Sequence, residues 1–192
     1  MKKTVIGGMV GGIIIFVWSF LAFVLLPFHE PTFHQVTKED EAIQALKSLL
    51  DQQAVYMLPK NPGMSADKAA MDAWEGKVKR GPIAMIVYNP GGVDPMMPRQ
   101  MIIGLILDIL AAWVVCWFLA RSVALNAPYI SRVAYCGMFG LFVSLFTHLM
   151  SWNWLGFPVD YTSAMIIDAI LSWIFAGLGI AAIVKAPKLT TT

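Results

Sequence analysis

The chain has 192 residues, 58% of them hydrophobic and 14% charged, with a mean hydropathy of +0.66 and a formal net charge of +2. A soluble domain is about 45–50% apolar and about a quarter charged, so this composition excludes a disordered tail and a disulfide-rich secreted module. So small a net charge gives no footing for nucleic acid as a partner, and the apolar excess points to a membrane.

A hydrocarbon core about 30 Å thick needs about 20 apolar residues in a helix. Residues 5–26, 101–120, 133–150 and 164–184 meet that length. The first run follows Lys2 and Lys3. It is longer than the roughly 7–15-residue core of a cleaved signal peptide and lacks a small-x-small end, so residues 1–27 are predicted to be a signal-anchor helix. The second run is bracketed by Arg99 and Arg121, the third follows Arg132, and the fourth ends at Lys185 and Pro187.

Residues 28–100 carry their own pattern. Thr37 is placed to cap a helix that opens Lys38-Glu39-Asp40-Glu41, with acids at the positive end of the dipole. Ile43, Leu46, Leu49 and Leu50 form its apolar face. Residues 54–58 read as a strand stopped by Pro59, and Asn61-Pro62-Gly63 as a turn. Ser65 is placed to cap a second helix through Lys79, with Ala70, Ala73, Trp74 and Val78 on its apolar side. Gly81-Pro82 ends it, and residues 83–88 form a second strand closed by Asn89-Pro90-Gly91-Gly92. A parallel crossover and an antiparallel pairing both remain open. Two strands make no independent core, so this insert is expected to pack on the membrane surface, on the span ends or on a partner.

Basic residues set the orientation. With the N-terminus in the cytoplasm, the cytoplasmic segments hold Lys2, Lys3, Arg121, Arg132, Lys185 and Lys188 and no acid. The positive-inside rule then predicts N-in, C-in. The expected fold is an integral membrane protein, mainly α, with four transmembrane helices. A small extracytoplasmic α+β insert (28–100) separates helix 1 from helices 2–4 (101–184), and a cytoplasmic tail (185–192) follows. The general character of the sequence suggests a bacterial cytoplasmic (inner) membrane.

Charges inside a span mark candidate sites, because each costs several kcal/mol unless paired or neutralised. Only Asp108 and Asp168 enter a span. Both are predicted to lie about 10 Å below the outer boundary, at a rise of about 1.5 Å per residue. His148 falls on the same side, and His29 and His34 lie just outside the first span. Asp108, Asp168 and His148 therefore form a candidate intramembrane polar cluster. It could be packing glue through Ser144, Thr147 or Ser172, or a proton, ion or ligand site. As metal ligands, His148, His29 and His34 lack a paired i, i+4 partner. Haem or pigment ligation at His148 is disfavoured, since no other span contains a histidine. No motif implies a cofactor, and bound lipid is the ligand the composition allows.

Gly7, Gly8, Gly11 and Gly12 contain two overlapping G-x-x-x-G spacings, which let helices approach closely. Gly137, Gly140, Gly177 and Gly179 add small surfaces to spans three and four. Cys116 and Cys136 have no C-x-x-C context and read as packing residues.

Two aspartates under the outer surface of a small four-span protein resemble the lipoprotein signal peptidase family. Phe157-Pro158-Val159-Asp160 and the run from Ala164 to Asp168 are similar to that family's approach to its last span. The resemblance implies a membrane aspartyl hydrolase. The chain departs from the pattern where an Asn is expected, in the late position of Asp168, and in carrying His148 at the end of span three where the second aspartate belongs. Membership is therefore rejected.

With no catalytic signature, the sequence is expected to encode a non-enzymatic accessory or structural subunit of a larger membrane assembly, or a homo-oligomer. Its partners would be lipids and other membrane subunits or copies of itself. The alternative is a small transporter or proton- or ion-linked carrier using Asp108, Asp168 and His148.

Overall fold

The computed structural model describes residues 2–27 and 29–186. Phe28, Pro187 and Lys188, and the tail from residue 187 onward, lie outside the described residues. The chain is mainly helical. Among the described residues, four helices are long and apolar enough to cross a membrane: Lys2–Leu25, Pro98–Arg121, Tyr129–Leu155 and Val159–Ile183. This is the architecture of an α-helical membrane protein.

The residues fall into two compact units, Met1–His34 with Met96–Thr192, and Gln35–Pro95. In the first, α1 (Lys2–Phe20) runs into a π turn (Leu21–Leu25) and then a 3-10 turn (Glu30–Thr32). After the second unit come α4 (Pro98–Arg121), α5 (Tyr129–Val143), a second π turn (Ser144–His148), α6 (Leu149–Leu155) and α7 (Val159–Ile183). Each helix starts or ends a few residues from the apolar run that predicts it. Hydrogen-bonded turns carry on into flanking residues of any polarity, such as Arg99 and Asp160.

Close approach of α1 to α4 and α7 organises the bundle. Gly7, Gly8, Gly11 and Gly12 are all buried. A methyl built on Gly8 would stand 2.8 Å from the Trp113 Cα, and one on Gly12 would overlap the Ile109 backbone. On Gly7 it would meet Val184 Cγ2 at 2.8 Å and Cys116 Sγ at 2.9 Å, and on Gly11 it would meet Ile180 Cδ1 at 2.7 Å. Residue numbers rise along α1 as they fall along α4 and α7, so α1 is antiparallel to both. Between α5 and α7 the same device recurs: a methyl on Gly140 would lie 2.6 Å from the Ala169 carbonyl oxygen, and one on Gly177 3.0 Å from Cys136 Cβ. Cys116 and Cys136 are free, fully buried thiols in the core these helices form, with Leu119, Ala176 and Ile180.

The second unit contains α2 (Glu39–Leu49), β1 (Ala54–Leu58), α3 (Lys68–Arg80) and β2 (Ala84–Tyr88). The strands pair antiparallel, from Ala54 opposite Tyr88 to Leu58 opposite Ala84. This settles the direction that the sequence left open. Two helix starts differ from expectation. At α2 the N-cap is Lys38 rather than Thr37; it caps through no side-chain bond, and its Nζ pairs with Glu41 at 3.0 Å. At α3 the N-cap is Asp67, which accepts from Ala70 N at 2.8 Å. Ser65 sits in the preceding turn, which Ala66 N closes on the Gly63 carbonyl. A carboxylate at the positive end of the helix dipole is a stronger cap than a hydroxyl two residues earlier.

Candidate functional site: an intramembrane aspartate

Asp168 lies nine residues into α7, about 14 Å along the helix at about 1.5 Å per residue. It continues the stripe Ala164, Ser172, Ala176 and Ile180, residues spaced four apart that are buried against the bundle. That spacing turns its carboxyl inward. Trp18 occupies the matching position on α1, between the buried Ile15 and Ala22. Its indole Nε1 donates to Asp168 Oδ1 at 2.6 Å, and its ring meets Phe175 edge-on with centroids 4.8 Å apart. A large ring with one polar handle needs an acceptor for that handle away from water, and the aspartate supplies it.

The second carboxylate oxygen faces a histidine. His29 Nε2 stands 3.7 Å from Asp168 Oδ2. His29 is only 1% exposed, and its ring stacks on Phe23 at 3.9 Å with an interplanar angle of 10°. Phe23 belongs to the π turn that ends the first span. The 3-10 turn beyond His29 is fastened to it, with Thr32 Oγ1 donating to the His29 carbonyl at 2.8 Å. Two further contacts hold this segment to the start of α7: Phe33 meets Tyr161 edge-on, and His34 Nε2 lies 3.6 Å from Asp160 Oδ2 at the surface.

The three residues of the expected cluster are not joined as a set. Asp108 lies one turn before the buried Ala112 on α4 and is half-buried. Among the described residues it has neither a hydrogen-bond nor an ion-pair partner. His148 ends the second π turn and lines a 190 Å³ cavity with Thr147, Ser151, Phe157, Tyr161 and Thr162. Asp168 is close enough to act on it electrostatically, but the side chain placed against the aspartate is that of His29. Ser144 Oγ bonds to the Gly140 carbonyl at 2.8 Å and reaches across to the Ile166 carbonyl of α7 at 3.4 Å, rather than to either aspartate. Asp168 is thus flanked by two spans that each carry a π turn near its level, a feature often found at functional sites.

The sequence reading does not pair two residues, Trp18 and His29, with Asp168. For Trp18 the signal is present in retrospect: it falls on the stripe Gly11, Ile15, Ala22 of small and buried positions. The other is His29, which lies in the expected layer but has no periodicity to aim it. Arg132 is a third surprise, at the opposite end of α7. It starts the buried stripe Cys136, Gly140, Ser144 and is itself only 9% exposed. Its Nη2 donates to the Ala181 carbonyl at 2.9 Å, its Nη1 bonds to the Ala127 carbonyl, and Tyr129 Oη donates to the Leu178 carbonyl at 2.8 Å. A cation on carbonyls left open at a helix C-terminus favours the dipole as well as the hydrogen bonds.

An aspartate held between the Trp18 indole N–H and the His29 imidazole ties the first apolar helix to the last. Among the described residues no group of three or more His, Cys, Asp or Glu side chains is placed to hold a metal ion. Comparison with protein-family models, curated proteins and solved structures matches none of them.

Proposed function

We propose that the chain is a non-enzymatic subunit of a larger membrane assembly, or a homo-oligomer, in a bacterial cytoplasmic membrane. One observation carries this reading. All of Gln35–Pro95 is described, and no residue in it is buried. Val55, Met57, Met85 and Val87 share one face of the two-stranded sheet and are 60%, 44%, 37% and 75% exposed. A unit of this size cannot balance the entropy of ordering its chain without burying apolar surface, so another surface must cover it. Blue-native electrophoresis of gently solubilised membranes tests the proposal. A band above monomer size, or a co-purifying chain, is expected; a lone monomer overturns it.

In this reading the N- and C-termini are cytoplasmic and the Gln35–Pro95 unit is extracytoplasmic, supported by the basic residues Lys2, Lys3, Arg121, Arg132 and Lys185 at the opposite ends of the spans. Protease added to intact spheroplasts should cut within residues 35–95, and protection there reverses the orientation.

The Asp168 site favours a second reading, a proton- or ion-linked carrier. What supports it is a carboxylate and an imidazole 3.7 Å apart between apolar helices. Proton flux into proteoliposomes should then vanish in Asp168→Asn while the protein inserts at the wild-type level. Equal flux in both forms removes this reading.

A further inference from the structure

We propose that the cavity between the end of β1 and α3 binds a phosphate ester attached to an apolar body. The cavity has a volume of about 670 Å³, inside the range of about 300–1,000 Å³ typical of small-ligand sites. Trp74, Lys77 and Arg80 of α3 form one wall, and Pro59, Lys60 and Pro82 contribute to the other.

The charges around this cavity are sorted by sign. At 3.6 residues per turn, Ala70, Ala73, Trp74, Lys77 and Arg80 share the face of α3 that lines it. The acids Asp72 and Glu75 fall on the opposite face, where Lys79 holds Glu75 at 3.0 Å. Asp67 is occupied in capping Ala70. No acidic residue lines the cavity, and among the described residues Lys60, Lys77 and Arg80 have no ion-pair partner. Three cations therefore border one concave surface without a counter-charge from the chain.

The donor chemistry suits a phosphate ester. A guanidinium can take two oxygens of one phosphate at once, and ammonium groups add point charges beside it. The rest of the lining is apolar. The Trp74 Nε1 is directed to the Pro59 carbonyl at 3.4 Å, which leaves the ring and the proline rings to meet the ligand's body. Such an ester could be free in solution or be the headgroup of a lipid.

The test uses the full chain labelled with 5-fluorotryptophan in dodecyl maltoside micelles, which contain no phosphate. Trp74 is the only tryptophan in the Gln35–Pro95 unit, and its fluorine resonance is assigned by Trp74→Phe. Titration with phenyl phosphate should shift that resonance saturably, and phenol should not. If phosphatidylglycerol added to the micelles shifts it with no other ester present, the source is a lipid headgroup; if only phenyl phosphate does, the source is a soluble ester. Lys77→Gln with Arg80→Gln should weaken binding by about tenfold or more, the loss expected for a charge-assisted hydrogen bond. Lys68→Gln with Lys79→Gln removes equal charge from the opposite face and should leave binding unchanged. The Trp74 resonance of each variant before any probe is added, at the wild-type position and linewidth, reports that the Gln35–Pro95 unit remains folded. No shift from either probe, an equal shift from phenol, undiminished binding in the first variant, or equal loss in the second overturns the proposal.

Discussion

Replacing Gly8 by alanine tests whether glycine sets the distance between α1 and α4. The new methyl would stand 2.7 Å from Trp113 Cβ and 2.8 Å from Trp113 Cα, where ordinary contact begins at 3.4 Å. The obstacle is backbone and the first side-chain atom, neither of which can swing aside, so the helices must part by about 0.6–0.7 Å. A gap of that size forfeits about a quarter to a half of the attraction across the contact. Overpacking of a close-packed interior costs about 1–3 kcal/mol, and alanine's better helix propensity returns about 0.5–1 kcal/mol. The expected net loss is about 0.5–2 kcal/mol, with Gly12→Ala losing more because its methyl would overlap the Ile109 backbone. Gly104→Ala is the control: a methyl there meets nothing within 4 Å, so only the propensity gain remains. Reversible unfolding in mixed micelles, followed by far-UV circular dichroism over an SDS titration, gives the three values. If Gly8→Ala unfolds with Gly104→Ala, glycine is not setting the spacing and the reasoning fails.

Asp168→Ala removes the acceptor of the Trp18 indole and should destabilise by about 1–3 kcal/mol, the cost of an unsatisfied donor away from water. Asp168→Asn keeps an acceptor and should recover part of that loss; the same titration checks both, and equal loss in the two variants removes the hydrogen bond as the cause. Arg132→Met strips the bridge from α5 to the Ala181 carbonyl and should cost about 1.5–3 kcal/mol. By contrast Arg121→Met loses an exposed contact over the Trp117 ring at 4.0 Å, worth about 0.5–1 kcal/mol, and a long exposed bond from Nη1 to the Trp117 carbonyl at 3.5 Å. Similar midpoints for the two arginine variants would show that the Arg132 contacts add nothing.

Much of the architecture is legible along the chain because its physics is local. A helix satisfies its own backbone, so a run of about 20 apolar residues suffices to call for a membrane-spanning element. The smallness of Gly7, Gly8, Gly11 and Gly12 is equally a local property. Their spacing announces a close-packing face, although it names neither α4 nor α7 as the neighbour. In the Gln35–Pro95 unit, turn and breaker residues bound each strand and helix to within a few positions, while the cap of α3 passed from Ser65 to Asp67 because two acceptors competed for one helix start.

The candidate site depended on long-range geometry. Sequence placed the aspartates and histidines in one layer, but depth says nothing about azimuth. Both aspartates lie on inward stripes of their helices, yet only Asp168 faces a donor, because Trp18 comes from a different span 150 residues away. His29 reaches the carboxylate through an irregular turn that no periodicity describes. Strand direction in the insert was likewise open, since five-residue runs of apolar side chains read the same in either direction. Thus the scarce charge of this hydrophobic chain was visible in its composition, whereas the partner each charge meets was decided by how the helices rotate and pack.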